Sequence, residues 1–230
     1  FTRTLCHVCF FFASVALLLT QSRGGLIAYV GILLLSAYLL PATRSLRVRW
    51  IAVVMVSCVL GAVVAGMIFK RLSGVDTFTE VTRLAIWAGA ALIFMAHPLA
   101  GVGYGNFKLV LANTIDVPEG FMLDAHNLYM ELLAETGVLG FVAFMVLVFT
   151  YVRRGLRMFR RSSNIMDVVI GFTVVAGILG VMIHGAVDYL FHNSPQVAAL
   201  FFLLLALLNA RELHRNSGGA QGDGVMPAQS

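Results

Sequence analysis

Residues 138–152 read Val138-Leu139-Gly140-Phe141-Val142-Ala143-Phe144-Met145-Val146-Leu147-Val148-Phe149-Thr150-Tyr151-Val152. No charge occurs in this stretch, and then Arg153, Arg154, Arg157, Arg160 and Arg161 arrive together. The apolar residues form a continuous block, whereas a membrane-barrel strand would alternate apolar and polar positions over about 10 residues. As a helix the block covers about 22 Å at about 1.5 Å per residue. A short extension at each end carries it across a hydrocarbon core of about 30 Å. Arginines gathered at one end mark that end as cytoplasmic by the positive-inside rule.

The rest of the chain repeats this pattern. Of its 230 residues 60% are hydrophobic and only 12% charged, with a mean hydropathy of +0.90. A soluble domain is about half apolar and a quarter charged, so this chain buries its surface in lipid. Six spans can be drawn, at about 5–20, 26–40, 50–69, 138–152, 168–190 and 197–208. The expected fold is therefore all-α, a multi-pass transmembrane bundle. In that drawing Arg3, Arg44, Arg47, Arg49, Arg211 and Arg215 join the five arginines after the fourth span on one side. Only Arg23, Lys70, Arg71, Arg83 and Lys108 fall on the other. Asp167, Glu212 and Asp223 share the arginine-rich side, and the other eight carboxylates lie outside or near the outer face. The net charge of +5 thus records topology and is no nucleic-acid footprint, since no basic patch is interleaved with aromatics.

Chain organisation follows from the same drawing. Residues 1–215 form one membrane domain, and the Gly-, Ser- and Gln-rich stretch 216–230 reads as a disordered cytoplasmic tail. The first residue is Phe1 and no signal-peptide pattern follows it, so the chain reads as the C-terminal part of a longer protein. Cys6, Cys9 and Cys58 all sit in apolar segments and imply no disulfide framework.

Most of the polar chemistry falls in the outer loop at about 70–137. Within it, 84–96 is an apolar run too short to span, which reads as an interfacial or re-entrant helix ended by Pro98. A second loop helix is expected from Asp124 as N-cap to Thr136, with Gly137 as its stop. On it Asn127, Glu131 and Glu135 recur every four residues, a polar stripe that would ordinarily face water.

Six residues stand out as candidates. Arg23, in Thr20-Gln21-Ser22-Arg23-Gly24-Gly25, reads either as a cation snorkelling to head groups or as an anion site. Arg83, one turn before Trp87, is an ordinary interfacial arginine or a contact for a lipid diphosphate. His126, among carboxylates where the loop re-enters the membrane, can titrate near neutral pH and serve as a general base. His184, Asp188 and His192 share a helix face at the outer end of the fifth span. With no fourth ligand apparent, His184 and Asp188 read as a supporting hydrogen-bonded pair and no metal or cofactor is expected. Gly101-Val102-Gly103-Tyr104-Gly105 follows no strand and is not a dinucleotide loop.

Taken in order, four of these segments resemble the O-antigen ligase and polymerase superfamily of bacterial envelope enzymes. They are Thr20 to Gly25; Arg83 to Trp87 with His97-Pro98-Leu99-Ala100-Gly101-Val102-Gly103; Ala125-His126-Asn127 with Glu135-Thr136-Gly137; and His184 with Asp188. The resemblance covers about 20–208 and lacks earlier spans that the family carries. It implies a metal-independent, inverting glycosyltransferase at the outer face of the bacterial inner membrane. The donor would be an undecaprenyl-diphosphate-linked glycan and the acceptor another glycan or lipid A-core. Arg23 and Arg83 would bind the diphosphate and His126 would be the base, with membrane lipid as the surroundings. Acceptor identity, ligase against polymerase, is not legible. The rival class is a lipid-linked-glycan transporter or lipid-binding protein without chemistry. It would line a path to both faces, whereas here the polar residues gather near one.

Overall fold

The computed structural model describes residues 2–20, 22–39, 66, 77–115, 124–188, 191 and 194–222. Among them the fold is all-α, as the apolar blocks require. The helices are α1 (Thr2–Leu19), α2 (Arg23–Leu39), α3 (Thr77–Ala96), α4 (Phe107–Thr114), α5 (Leu128–Arg161), α6 (Ile165–Gly185) and α7 (Pro195–Gly222). In α5, α6 and the part of α7 at Pro195–Ser217, length and hydropathy suffice to cross a membrane. These correspond to the fourth, fifth and sixth drawn spans. Shorter apolar runs occur in α1, α2 and α3, at Val8–Leu17, Gly24–Ser36 and Arg83–Ala96. The third drawn span, 50–69, lies outside the described residues apart from Gly66.

The bundle is centred on α6, which packs against α5, α2 and α7. Its core joins Val148 and Met158 of α5 to Val174, Ile178 and Met182 of α6 and Phe201 and Leu205 of α7. Where α5 crosses α6, a Cβ on Gly171 would stand 2.7 Å from the Gly155 carbonyl oxygen, so only glycine lets the two backbones meet. Close approach through small residues is how helices associate in lipid, where apolar burial gives no drive. Leu139, Val142, Val146 and Phe149 repeat every three or four residues along α5 and are all exposed, which makes them its lipid face.

A second core caps this bundle. Ile86, Ala90 and Ile93 of α3 pack with Phe107 and Leu111 of α4 and with Ala125 and Ala134. Here α3 is longer than the apolar run 84–96 suggested, since it starts at Thr77. The helix α4 was not foreseen, because eight residues carry too little periodicity to declare themselves.

The two layers are joined by a break in α5. Gly137 has φ 63° and ψ −170°, so it does interrupt the helix as expected, yet the helix resumes at once as the membrane span. A break orphans carbonyls before it and N–H groups after it. The loop 97–106 supplies partners for both. Val102 N–H donates to Ala134 O at 3.1 Å and Gly103 N–H to Glu135 O at 2.8 Å. Beyond the break, Val138 N–H donates to Pro98 O at 2.8 Å and Leu139 N–H to Leu99 O at 3.2 Å. Gly101 and Gly137 both take positive φ, and a Cβ on either would lie 2.3 Å from the other segment's backbone.

Three boundaries differ from the sequence reading. The N-cap of α5 is Asn127, not Asp124; its side-chain oxygen accepts from Tyr129 N–H at 3.0 Å and Met130 N–H at 3.1 Å. The fifth span was drawn to 190, but α6 ends at Gly185, which abuts Leu128. The last helix continues to Gly222, so 216–222, read as the start of a disordered tail, are helical; 223–230 lie outside the described residues.

Candidate active site

The candidate residues lie where the cap meets the bundle. His126 is in the turn that enters α5 and has φ 47°, the only positive φ among the described non-glycine residues. A side chain in that region is uncommon and must be held by its surroundings. The peptide before it is gripped from both sides. Ala125 N–H donates to Glu131 Oε2 at 3.1 Å, and Ala125 O accepts from the Trp87 indole N–H at 2.7 Å. The residue after it is gripped too, since the Asn127 amide donates to Ala186 O at 3.1 Å. These bonds tie the turn to α3, α5 and the end of α6.

Asp188 reaches this turn because α6 has already ended. In the sequence reading His184 and Asp188 shared one helical face. The early stop instead places Asp188 in the bend after the helix. Its Oδ1 lies 3.6 Å from His126 Nδ1, with both side chains partly exposed. Asp188 thus faces His126 and also acts electrostatically on His184, so the carboxylate stands near both imidazoles. The imidazole of His184 has a second neighbour. A Cβ on Gly24 would meet His184 Cδ2 at 2.3 Å, so the first turn of α2 rests directly on that imidazole. His192 lies outside the described residues.

Arg83 sits one turn before Trp87 on α3, and Trp87 bonds to the residue preceding His126. Its Nε is buried and has no hydrogen-bond partner among the described residues. A buried donor left unpaired is costly and calls for an explanation, of which a ligand is one. Trp87 is not an ordinary interfacial tryptophan, because its indole packs on the cap core and donates to a backbone carbonyl. Arg23 opens α2, but its side chain is not among those described.

The polar stripe of α5 does not face water. Glu131 and Glu135 are both 1% exposed. Glu131 holds Ala125, as above. Glu135 Oε1 accepts from Gly105 N–H at 2.9 Å and Phe107 N–H at 3.4 Å, which caps α4 where Asn106 makes no side-chain cap. The carboxylate also faces a helix N-terminus, where negative charge is favoured. Asp124, read as an N-cap, is buried and forms an ion pair with Lys108 at 2.7 Å. A stripe of carboxylates four apart announced an exposed face; it serves instead to fasten two loops from inside.

The geometry thus gathers segments from α2, α3, α5 and the end of α6 at one end of the bundle. No curated protein matches the chain. A comparison with known families does: residues 8–145 match the O-antigen ligase family, which is more than half of the chain. That family comprises glycosyltransferase-like ligases and polymerases that work in membranes on lipid-linked glycans and their acceptors. With its apolar helices and a match over that length, the chain belongs to the O-antigen ligase family.

Proposed function

We propose that this chain carries the active site of a metal-independent, inverting glycosyltransferase. It would move a glycan from undecaprenyl diphosphate to an acceptor hydroxyl at the outer face of the bacterial inner membrane. The observation that carries the reading is the approach of His126 Nδ1 to Asp188 Oδ1, 3.6 Å apart in an unusually constrained turn. A carboxylate at Nδ1 favours the tautomer with its proton there, which leaves Nε2 free to accept a proton from the acceptor hydroxyl. The separation is that of an ion pair and longer than a hydrogen bond; such contacts tighten when substrate fills a site.

The leaving group is the other half of the chemistry. Arg83 has a buried Nε with no hydrogen-bond partner among the described residues, and its guanidinium would donate to a phosphate oxygen once substrate opens the site. Arg23 stands at the first residue of α2, where the helix dipole also favours an anion. Two guanidinium groups would stabilise the charge that develops as the diphosphate departs. Attack from the face opposite that group inverts the anomeric centre. His184, packed on Gly24, would fix the first turn of α2 relative to the acceptor side. Residues 1–215 would form the membrane domain that carries these groups, with 216–230 as a cytoplasmic tail.

The test is transfer by the purified protein with a lipid-diphosphate glycan donor. His126→Ala should lower turnover by about 10²–10⁴, the usual worth of a general base, with insertion unchanged. Near-normal turnover would remove His126 from the role. EDTA should leave transfer intact, and product anomers read by NMR should be inverted. The glycan left by a deletion strain separates the two acceptors: long chains that stay lipid-linked mean ligase, and single repeats mean polymerase.

A further inference from the structure

The arginine-rich end of α5 carries charge that the described residues do not neutralise. Arg157 follows Arg153 by four residues, and Arg160 and Arg161 follow Arg157 by three and four, so all four fall on one side of the helix. With Phe149, Val152 and Leu156 of the same helix they line a shallow groove, open to its surroundings, of about 550 Å³.

The neighbouring cations are accounted for. Arg154 is held by Glu212, donates to Asn209 Oδ1 at 2.7 Å and lies 4.7 Å over the Tyr151 ring. Arg211 pairs with Asp167 at 2.6 Å and Arg215 with the same carboxylate at 3.5 Å. Asp167 also accepts from the Ser162 hydroxyl at 2.7 Å. Among the described residues, no carboxylate forms an ion pair with any of the four groove arginines. The sequence supplies few more. On that side of the drawn topology the carboxylates are Asp167, Glu212 and Asp223, and the first two are already engaged. Among the described residues, that leaves the charge of the four arginines to be met by another partner.

The apolar wall decides which anion meets it. Phe149 is 65% exposed and belongs to the lipid face of α5, directly below the arginines. A free phosphate has no use for such a wall. A phospholipid has both a phosphate for the guanidinium forks and acyl chains for the aliphatic and aromatic surface. We infer that this groove binds an acidic phospholipid, with its head group on Arg153, Arg157, Arg160 and Arg161 and its chains along Phe149, Val152 and Leu156. The site lies at the opposite end of α5 from His126 and does not depend on the proposed chemistry.

The experiment counts bound lipid by native mass spectrometry on the purified full chain. The probes are dioleoyl phosphatidylglycerol, dioleoyl phosphatidylcholine and inorganic phosphate. Phosphatidylglycerol should be retained in preference to phosphatidylcholine, and inorganic phosphate should not displace it. Arg153→Gln with Arg157→Gln should weaken phosphatidylglycerol about 25-fold, at about fivefold for each basic residue lost. Arg153→Lys with Arg157→Lys keeps the charge that sets insertion but loses the planar fork, so binding should fall several-fold. Equal retention of the two lipids, displacement by inorganic phosphate, or an unchanged preference in the glutamine pair each overturns the inference. If the glutamine pair does not insert, the lysine pair decides, and unchanged phosphatidylglycerol affinity there overturns it.

Discussion

Gly137→Ala tests the splice between the loop 97–106 and the broken helix α5. The backbone at Gly137, φ 63° and ψ −170°, is in a region that essentially only glycine occupies, and forcing alanine there costs about 1–3 kcal/mol. The added methyl would also stand 2.3 Å from the Leu99 carbonyl oxygen, so the loop has to move. Moving it endangers the four backbone hydrogen bonds from Val102, Gly103, Val138 and Leu139. At about 0.5–1.5 kcal/mol each, losing all four adds about 2–6 kcal/mol. The expected destabilisation is thus about 3 kcal/mol at least, the lower ends of the two costs together. For a chain of this size that lowers the melting temperature by about 6 °C or more. Thermal melting of purified protein in detergent reads the shift, and limited proteolysis reads release of 97–106. Two controls separate the causes. At Gly105 φ is 81° but nothing lies within 4 Å, so alanine there should cost only about 1–2 kcal/mol of backbone strain. Gly180 is helical and an added Cβ would touch Ile32 at an ordinary 3.7 Å, so alanine there should stabilise by about 0.5–1 kcal/mol. If Gly137→Ala melts with the wild type and its loop stays protected, the splice does not hold the two layers together.

Other substitutions probe the site and the far end of the bundle. Asp188→Asn should reduce turnover about tenfold or more, part of the general-base contribution, while donor affinity stays level; a change in affinity alone would assign Asp188 to binding instead. Trp87→Phe keeps the ring but leaves the Ala125 carbonyl unpaired, at a cost of about 1–3 kcal/mol in thermal melting, and a neutral result would mean water replaces the indole. Arg23→Lys should raise the donor concentration needed for half-maximal transfer more than it slows turnover, since the charge stays and the fork is lost; the reverse pattern would count against a diphosphate contact. Asp167→Ala removes the acceptor for Ser162 and Arg211 and should cost about 2–3 kcal/mol, because the cations left behind are partly exposed; no loss in melting temperature would show that lipid or water takes its place.

Class, membrane residence and family were legible in the sequence because they are properties of segments taken one at a time. Without water each stretch of backbone must satisfy its own polar groups, so an apolar block such as 138–152 has a helix as its only open form. The arginines after Val152 then give the orientation that the positive-inside rule expects. Candidate residues such as Arg23, Arg83 and His126 are likewise picked out singly. Their neighbours could not. The period of four in Asn127, Glu131 and Glu135 gives a face, and only the loops at Ala125 and Gly105 turn that face inward. Asp188 comes within 3.6 Å of His126 because α6 ends at Gly185 and the chain bends there, a meeting of segments some 60 residues apart that no local pattern announces. Gly137 signalled an end, but whether a helix ends or resumes rests on who takes its freed carbonyls and N–H groups. Those partners come from a loop some 35 residues away. Hydrogen bonds and close contacts between distant segments are settled by the folded backbone, and no local pattern carries them.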